Sequence, residues 1–276
     1  MAAYISFQPT DFFSTLLYSY GTPPSSVTGV GFSSNMVVIK SINGTSGANN
    51  WYAGNTVMGN TINNNWNGTA IETSTDSITS YDADGYTMGA DATNNINETG
   101  TNYVAYSWKA GTSSGLSGGT ITPTAYSFSA TAGVSIVQYD GNSTSGATVP
   151  HGLGVAPKMV MVKCLDAGEN WCVGHEAFGF TQWIPLDTSG TPTTTSVTWN
   201  DTAPTSTLVT LGDNALVNTH TTNGYIMYAF ADVKGFSRHS SYMGNGDGDG
   251  PMVYTGFRPA FVMVKRLNSS DNWVCF

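Results

Sequence analysis

"GVAPKMVMVK" at Gly154–Lys163 and "GFRPAFVMVK" at Gly256–Lys265 are identical in six of ten columns. An internal repeat outranks every local pattern, because each copy should form the same structural unit. A third, weaker copy, "GFSSNMVVIK" at Gly31–Lys40, keeps the Gly, one Val and the Lys. Each copy is followed by a polar turn and Asn-Trp: Asn50-Trp51, Asn170-Trp171 and Asn272-Trp273. The lysines Lys40, Lys163 and Lys265 lie 123 and 102 residues apart, so the unit is about a hundred residues long.

The likeness extends on both sides. Upstream, "YDGNSTSGATVPHGLG" from Tyr139 parallels "YMGNGDGDGPMVYTGF" from Tyr242 and, more loosely, "YSYGTPPSSVTGVGF" from Tyr18. Downstream, "NYVAYSW" (Asn102–Trp108) parallels "GYIMYAF" (Gly224–Phe230), and Trp66–Ala70 is matched to Trp199–Ala203. The expected organisation is an arm with a first strand (1–30), repeat 1 (31–111), a Gly/Ser/Thr linker (112–133), repeat 2 (134–236) and the start of repeat 3 (237–276). Gly256–Phe276 can supply only two strands, and two strands alone are marginal in water. The expectation is that the polypeptide continues beyond Phe276, with completion by a neighbouring subunit as the alternative.

Strand-length runs rich in Val, Ile, Tyr, Phe and Thr are bounded by Gly, Asn and Ser clusters. They fall at Met36–Lys40, Thr101–Trp108, Val134–Tyr139, Met159–Cys164, Thr207–Leu211, Gly224–Ala231 and Phe261–Lys265. "MVMVK" is apolar on both alternating faces, which places it centrally in a sandwich or between a core and a subunit interface. Asp11–Leu17 alone carries helical spacing. The fold class is all-β: tandem antiparallel β-sandwich repeats with an extended N-terminal arm.

Composition narrows the function. Aromatics make up 12% of the chain, enough for a core, while charged residues are only 10% and the net charge is −9. Residues 1–157 hold Lys40 and Lys109 against eight acidic side chains. Such a surface has no footprint for nucleic acid or for anionic lipid. No apolar stretch approaches the roughly 18 residues of a membrane helix, and "MAAYISFQPTDFF" lacks the layout of a signal peptide. Cys164, Cys172 and Cys275 fall at non-equivalent columns, so no shared disulfide framework is implied and a reducing cytoplasm is the expected site of synthesis.

Candidate chemistry is sparse. His151, His175, His220 and His239 have no i,i+3 or i,i+4 partner among themselves. Asp82 and Asp84 lie in "YDADGYT", where Asp bonding its own backbone in a turn is favoured over an acid–base pair. "NGDGDG" at Asn245–Gly250 matches the first six positions of a calcium loop, but its twelfth position is Gly256 where a bidentate Glu belongs. A glycine-rich hairpin loop is the preferred reading there. Trp51, Trp171 and Trp273 share a column and read as core anchors, whereas Trp183 is the candidate for stacking on sugar. No catalytic residue, cofactor or metal is expected.

"AYISFQPTDFF" followed by "TGVGF", the "GLGVAPKMVMVK" strand, "WNDTAPTSTLVTLG" and "TNGYIMYAFAD" together resemble tail fibres of short-tailed phages of marine bacteria and cyanobacteria. The first repeat departs from the pattern, with "SSN" in place of the A-P-K turn and a loop before Trp51 three residues longer. The resemblance implies a homotrimeric, non-enzymatic virion appendage assembled in the host cytoplasm. Its N-terminal segment would dock on tail adaptor or nozzle proteins, and a distal tip would meet a host surface receptor. Tyr4, Ile5, Phe7, Phe12 and Phe13 are the attachment residues, since so many apolar groups ahead of the first repeat must bury against something. The alternative is a carbohydrate-binding adhesin module whose loops, such as Asn60–Asn67 and Phe178–Thr195, contact host glycans directly.

Overall fold

The structure, a computed structural model, describes residues 5–19, 21–43, 50–90, 96–222 and 224–276. Repeat 1 contains β1 (Phe13–Ser19), β2 (Ser25–Thr28), β3 (Met36–Ser41), β4 (Tyr52–Asn55), β5 (Gly59–Asn65), β6 (Ile71–Thr73), β7 (Ile78–Asp82), β8 (Gly85–Met88) and β9 (Asn102–Trp108). Repeat 2 contains β10 (Ala125–Ser129), β11 (Val134–Tyr139), β12 (Ala147–Pro150), β13 (Met159–Cys164), β14 (Cys172–His175), β15 (Gly179–Pro185), β16 (Thr193–Thr194), the single-turn helix α1 (Ser196–Trp199), β17 (Leu208–Leu211) and β18 (Tyr225–Phe230). Repeat 3 contributes β19 (Met263–Val264) and β20 (Val274–Cys275).

The two complete repeats share one topology. The large sheet of repeat 1 has the order β1-β9-β3-β4-β5-β6, and that of repeat 2 the order β10-β11-β18-β13-β14-β15-β16. Their common part is the same antiparallel path, β1-β9-β3-β4-β5 against β11-β18-β13-β14-β15. Even the register irregularity recurs, between Ala53 and Asn55 and between Val173 and His175, 120 residues apart. A smaller sheet covers one face of each: β2-β8-β7 in repeat 1 and β12-β17 in repeat 2. Each repeat is therefore an antiparallel β-sandwich.

Strand alternation then decides where the other face goes. On β3, Val37 and Ile39 enter the core of the first sandwich, while Met36 and Val38 point the opposite way. On β13, Val160 and Val162 enter the core of the second, while Met161 points away from it. The two outward faces meet. Met36, Val38, Ala53, Trp66 and Tyr106 of repeat 1 form one cluster with Ile136, Met161, Trp171, Ile184 and Tyr228 of repeat 2. Phe261, Met263, Leu267 and Trp273 of repeat 3 pack against the same cluster. The sandwiches are thus gathered around a shared central core.

Three expectations are corrected by these contacts. The linker at 112–133 contains β10, which pairs with β11 in five register positions, and Ile121 lies in the second core. Its Gly/Ser/Thr content masked a short edge strand, which needs only one apolar face. The helical spacing of Asp11–Leu17 yields the strand β1, paired with β9 over seven residues, after a 3-10 turn at Pro9–Asp11. Pairing with an aromatic-rich strand overrides local propensity here. Trp66 and Trp199, matched by sequence, are not equivalent: Trp66 lies in the shared core and Trp199 in the second sandwich. The residue that aligns with Trp66 is Leu186, since Trp66 N donates to Trp51 O and Leu186 N to Trp171 O. The loop that is longer in repeat 1 falls largely outside the described residues.

One polar contact locks the shared core. Asn55 is fully buried, and its Nδ2 donates to the Tyr228 hydroxyl at 2.7 Å. Removing the acceptor leaves a buried donor unsatisfied, so Tyr228→Phe is expected to cost about 1–2 kcal/mol in urea unfolding. A change below a few tenths would show that Asn55 finds another acceptor.

Candidate functional site

The repeated Lys and Trp columns hold the molecule together. Lys163 Nζ donates to Glu169 O of its own turn at 2.6 Å and to Thr69 O of repeat 1 at 2.8 Å. Lys265 Nζ donates to Asp271 O of its own turn and to Ser189 O of repeat 2 at 3.2 Å. Trp171 Nε1 donates to Asn65 O at 2.9 Å, and Trp273 Nε1 to Pro185 O at 2.8 Å. Thr69 and Ser189 occupy one column of the repeat, as do Asn65 and Pro185. One clasp is therefore used twice, from repeat 1 to repeat 2 and from repeat 2 to repeat 3. It is a head-to-tail contact of the kind that closes rings.

The third side is closed by aromatic packing. The Phe261 ring sits edge-on to Tyr106 at 4.8 Å and to Trp108 at 5.6 Å. Thr15 Oγ1 also donates to Ala260 O at 3.4 Å. Lys163 has no exposed surface, and burial holds its ammonium below the usual lysine range despite the nearby Asp187 and Glu169. Two carbonyl acceptors make that burial tolerable. Where the three repeats converge lies a recess of about 260 Å³, lined by Lys40, Trp51 and Trp66, by Leu186 and Asp187, and by Met263 and Trp273.

A second cleft, of about 410 Å³, collects the densest charge of an otherwise charge-poor chain. Lys158 Nζ donates to Glu176 Oε1 at 2.5 Å. His239 Nδ1 lies 3.1 Å from Asp232 Oδ1, and Arg238 stands 3.9 Å from the other carboxylate oxygen. His175 faces His239 with ring centroids 6.5 Å apart. Its Nδ1 accepts the Ala177 amide at 2.9 Å, the same turn contact that Asn55 Oδ1 makes with the Val57 amide in repeat 1. Burial first, and then the neighbouring His239, push the His175 pKa down to about 4. Among the described residues no three His, Cys, Asp or Glu side chains are grouped so as to hold a metal ion. What the cleft can do is respond to protons.

The attachment residues predicted from sequence are placed as follows. Tyr4 lies outside the described residues. Ile5 is half-buried. Phe7 packs edge-on to Phe12 at 5.1 Å and to Phe236 at 5.4 Å, so the start of the chain meets the end of repeat 2. Phe13 packs on Trp108 at 4.9 Å, and both Phe12 and Phe13 lie against the shared core. The Lys109 ammonium stands 5.8 Å from the centre of the Phe12 ring. Phe7, Phe12 and Phe13 are thus brought together, and their partners are in this chain.

The remaining candidates resolve into structural roles. Asp84 accepts the Gly29 and Gly31 amides at 3.0 and 2.6 Å, and these bonds hold its carboxyl below the usual range. Asp82 accepts the hydroxyls of Ser80 and Thr87. In Asn245–Gly250, Asn245 Oδ1 and Asp247 Oδ1 accept the amides of Asp247 and Asp249 in successive Asx turns. That loop is exposed and is not flanked by paired strands among the described residues. Trp183 packs against the second core. Cys164, Cys172 and Cys275 carry free thiols. Sequence reading passed over the charged cleft because its residues come from Lys158, the 175–177 turn and the 232–241 segment; the signal available was Asp232 and His239, seven residues apart.

An all-β chain of two complete sandwiches and the opening strands of a third, clasped on one core, defines a repeat-built structural class. The chain belongs to the family described as a domain of unknown function, DUF7483, which matches residues 8–276. That single match spans all three repeats, as befits segments that share one core. No curated protein and no solved structure matches the chain.

Proposed function

We propose that this chain is a structural virion protein, the proximal part of a phage tail fibre that attaches to the tail and carries a distal receptor-binding tip. The observation that supports this reading is the reuse of one clasp to fix successive repeats around a shared core. A contact that recurs between repeats builds a stiff element from one short sequence plan, and the shaft of a fibre needs that stiffness. Within this proposal the start of the chain meets a tail adaptor through what its internal packing leaves open, Ile5 being half-buried and Leu17 73% exposed. The protein acts without catalysis in this proposal, and its place is the virion.

Homotrimerisation belongs to the same proposal, but its support changes. The second apolar face of Met159–Lys163 pointed to a neighbouring chain, and Met161 is covered by the other repeats of this one. Antibodies raised against the purified chain should decorate the tails of intact particles that carry its gene. Particles that are unlabelled, with the chain absent from their protein composition, would overturn the reading. Light scattering on a fibre that includes its tip is expected to give three chains; a stable monomer would remove the trimer alone.

A further inference from the structure

Strand β1 stands at the end of the large sheet of repeat 1, whereas its counterpart β11 is flanked on both sides, by β18 and by β10. The two strands match column by column. Lys109 N donates to Phe12 O as Ala231 N does to Gly133 O, and Tyr18 stacks on Tyr103 as Tyr139 does on Tyr225. Bonded pairs alternate along an antiparallel ladder. The Lys109–Phe12 bond sets the phase, so Ser14, Leu16 and Tyr18 bond β9, and the amides and carbonyls of Phe13, Thr15 and Leu17 point away from it. The equivalent groups of Val134, Ile136 and Gln138 face β10. Those of Thr15 and Leu17 have no backbone partner among the described residues. Thr15 is exposed where Ile136 is fully buried.

A single column explains why the segment before β1 does not fold back onto this edge as β10 folds back onto β11. β10 reaches β11 through a tight turn that ends at Gly133, whose φ is 66°. Repeat 1 has Phe12 at that column, with φ −128°, after the 3-10 turn Pro9–Asp11. A β-carbon makes the positive φ costly, so the chain enters β1 from another direction, and Phe7 is taken up by Phe12 and Phe236. The edge also lacks the usual protection of an exposed strand. Its seven residues, "FSTLLYS", include no charge and no proline, and its register on β9 runs without a bulge.

We propose that the open edge of β1 is the docking site for an extended strand of the tail protein, which adds to the sheet antiparallel to β1. The partner's identity rests on the tail-fibre reading; the open edge does not. β1 follows directly on Phe7 and Phe12, whose rings are occupied within the chain, so the attachment region meets its partner through backbone groups. β10 specifies what fits: an uncharged strand of five residues, with Tyr126 and Phe128 on one face and Ala125, Ser127 and Ser129 on the other. Leu17, 73% exposed, adds an apolar contact beside the free amides. A second copy of β1 is the poorer match. It carries Phe13, Thr15 and Leu17 on the face that β10 fills with alanine and serine.

Hydrogen exchange resolved to single amides tests the edge on the protein as it exists. Thr15 and Leu17 are expected to exchange at least about 100-fold faster than Leu16 on the same strand and than Ile136 and Gln138 on β11. Particles of the phage that carries its gene, assembled without the chain, should bind it, and binding should slow the Thr15 and Leu17 amides at least about tenfold. Leu17→Pro removes an outward N–H and no ladder bond, so this variant should stay folded and fail to bind. Leu17→Ala, which keeps the amide, should bind. Exchange on the bound wild-type chain decides the matter if the proline variant does not fold. Slow exchange at Thr15 and Leu17 in the free monomer would overturn the proposal, since the chain would cover its own edge. Slowing that follows protein concentration would assign the edge to a second copy and overturn it too. Binding that leaves both amides fast would keep the tail attachment and remove this docking mode alone. A wild-type chain that does not bind would overturn the attachment reading, and the partner named here with it.

Discussion

Trp171→Ala is expected to destabilise repeats 1 and 2 together, by about 4 kcal/mol, in one unfolding transition. Trp171 has no exposed surface and is among the largest fully buried side chains of the protein. Its ring packs beside Tyr228, and its Nε1 donates across the repeat boundary to Asn65 O. Truncation opens a cavity in the core that both repeats share, and it strands a buried carbonyl. Trp171→Phe keeps most of the packing and loses the bond, so about 1 kcal/mol is expected from that change. The measurement is urea denaturation followed by circular dichroism and by fluorescence, with the two curves superimposed. Two separate transitions, with the loss confined to one, would show that the repeats are independent beads and that the shared core carries little energy.

Acidification is expected to weaken the fold through His175, by up to about 3 kcal/mol between pH 7 and pH 4. The native pKa is lowered from 6.5 to about 4. The unfolded chain therefore binds the proton first as pH falls, and in that window it holds more protons than the native state. Stability is fully present above pH 6.5 and is lost progressively toward pH 4. The cause is visible: protonation places a charge in a half-buried site facing His239, and it removes the lone pair that accepts the Ala177 amide. Glu176 and Asp232 offset part of the cost, and Lys158 adds to it. His151, also lowered by burial, slopes the same way, so the comparison must isolate one residue. His175→Asn does so. It installs the residue that repeat 1 uses at this column, Asn55, which accepts a turn amide without titrating. The variant should lose most of the slope between pH 6.5 and 4; an unchanged slope would place the effect elsewhere.

Much of this architecture is written locally. The copies of "VMVK" and the Asn-Trp pairs announce the repeat. Alternation within Met36–Lys40 and Met159–Cys164 announces strands buried on both faces, as the structure has them. Asp82 and Asp84 serve turns, as their surroundings indicated. Composition misled where function of the backbone is carried by few residues: β10 hides in a Gly/Ser/Thr stretch, and β1 under a helical spacing. The match of Trp66 to Trp199 failed because five similar letters are a weaker constraint than strand register.

By itself the sequence determined that the chain is all-β, that its unit recurs about every hundred residues, and that the repeated Lys and Trp columns matter. Tertiary structure alone decided what those columns do and what the second apolar face meets. Alternation states that a side chain is buried but not against which surface, and Met161 found its cover in another repeat of the same chain. Lys163 and Trp171 reach acceptors 94 and 106 residues away, at backbone carbonyls whose side chains differ between repeats. A contact made to the backbone leaves no residue type to read, so the clasp becomes visible only when the sheets are packed.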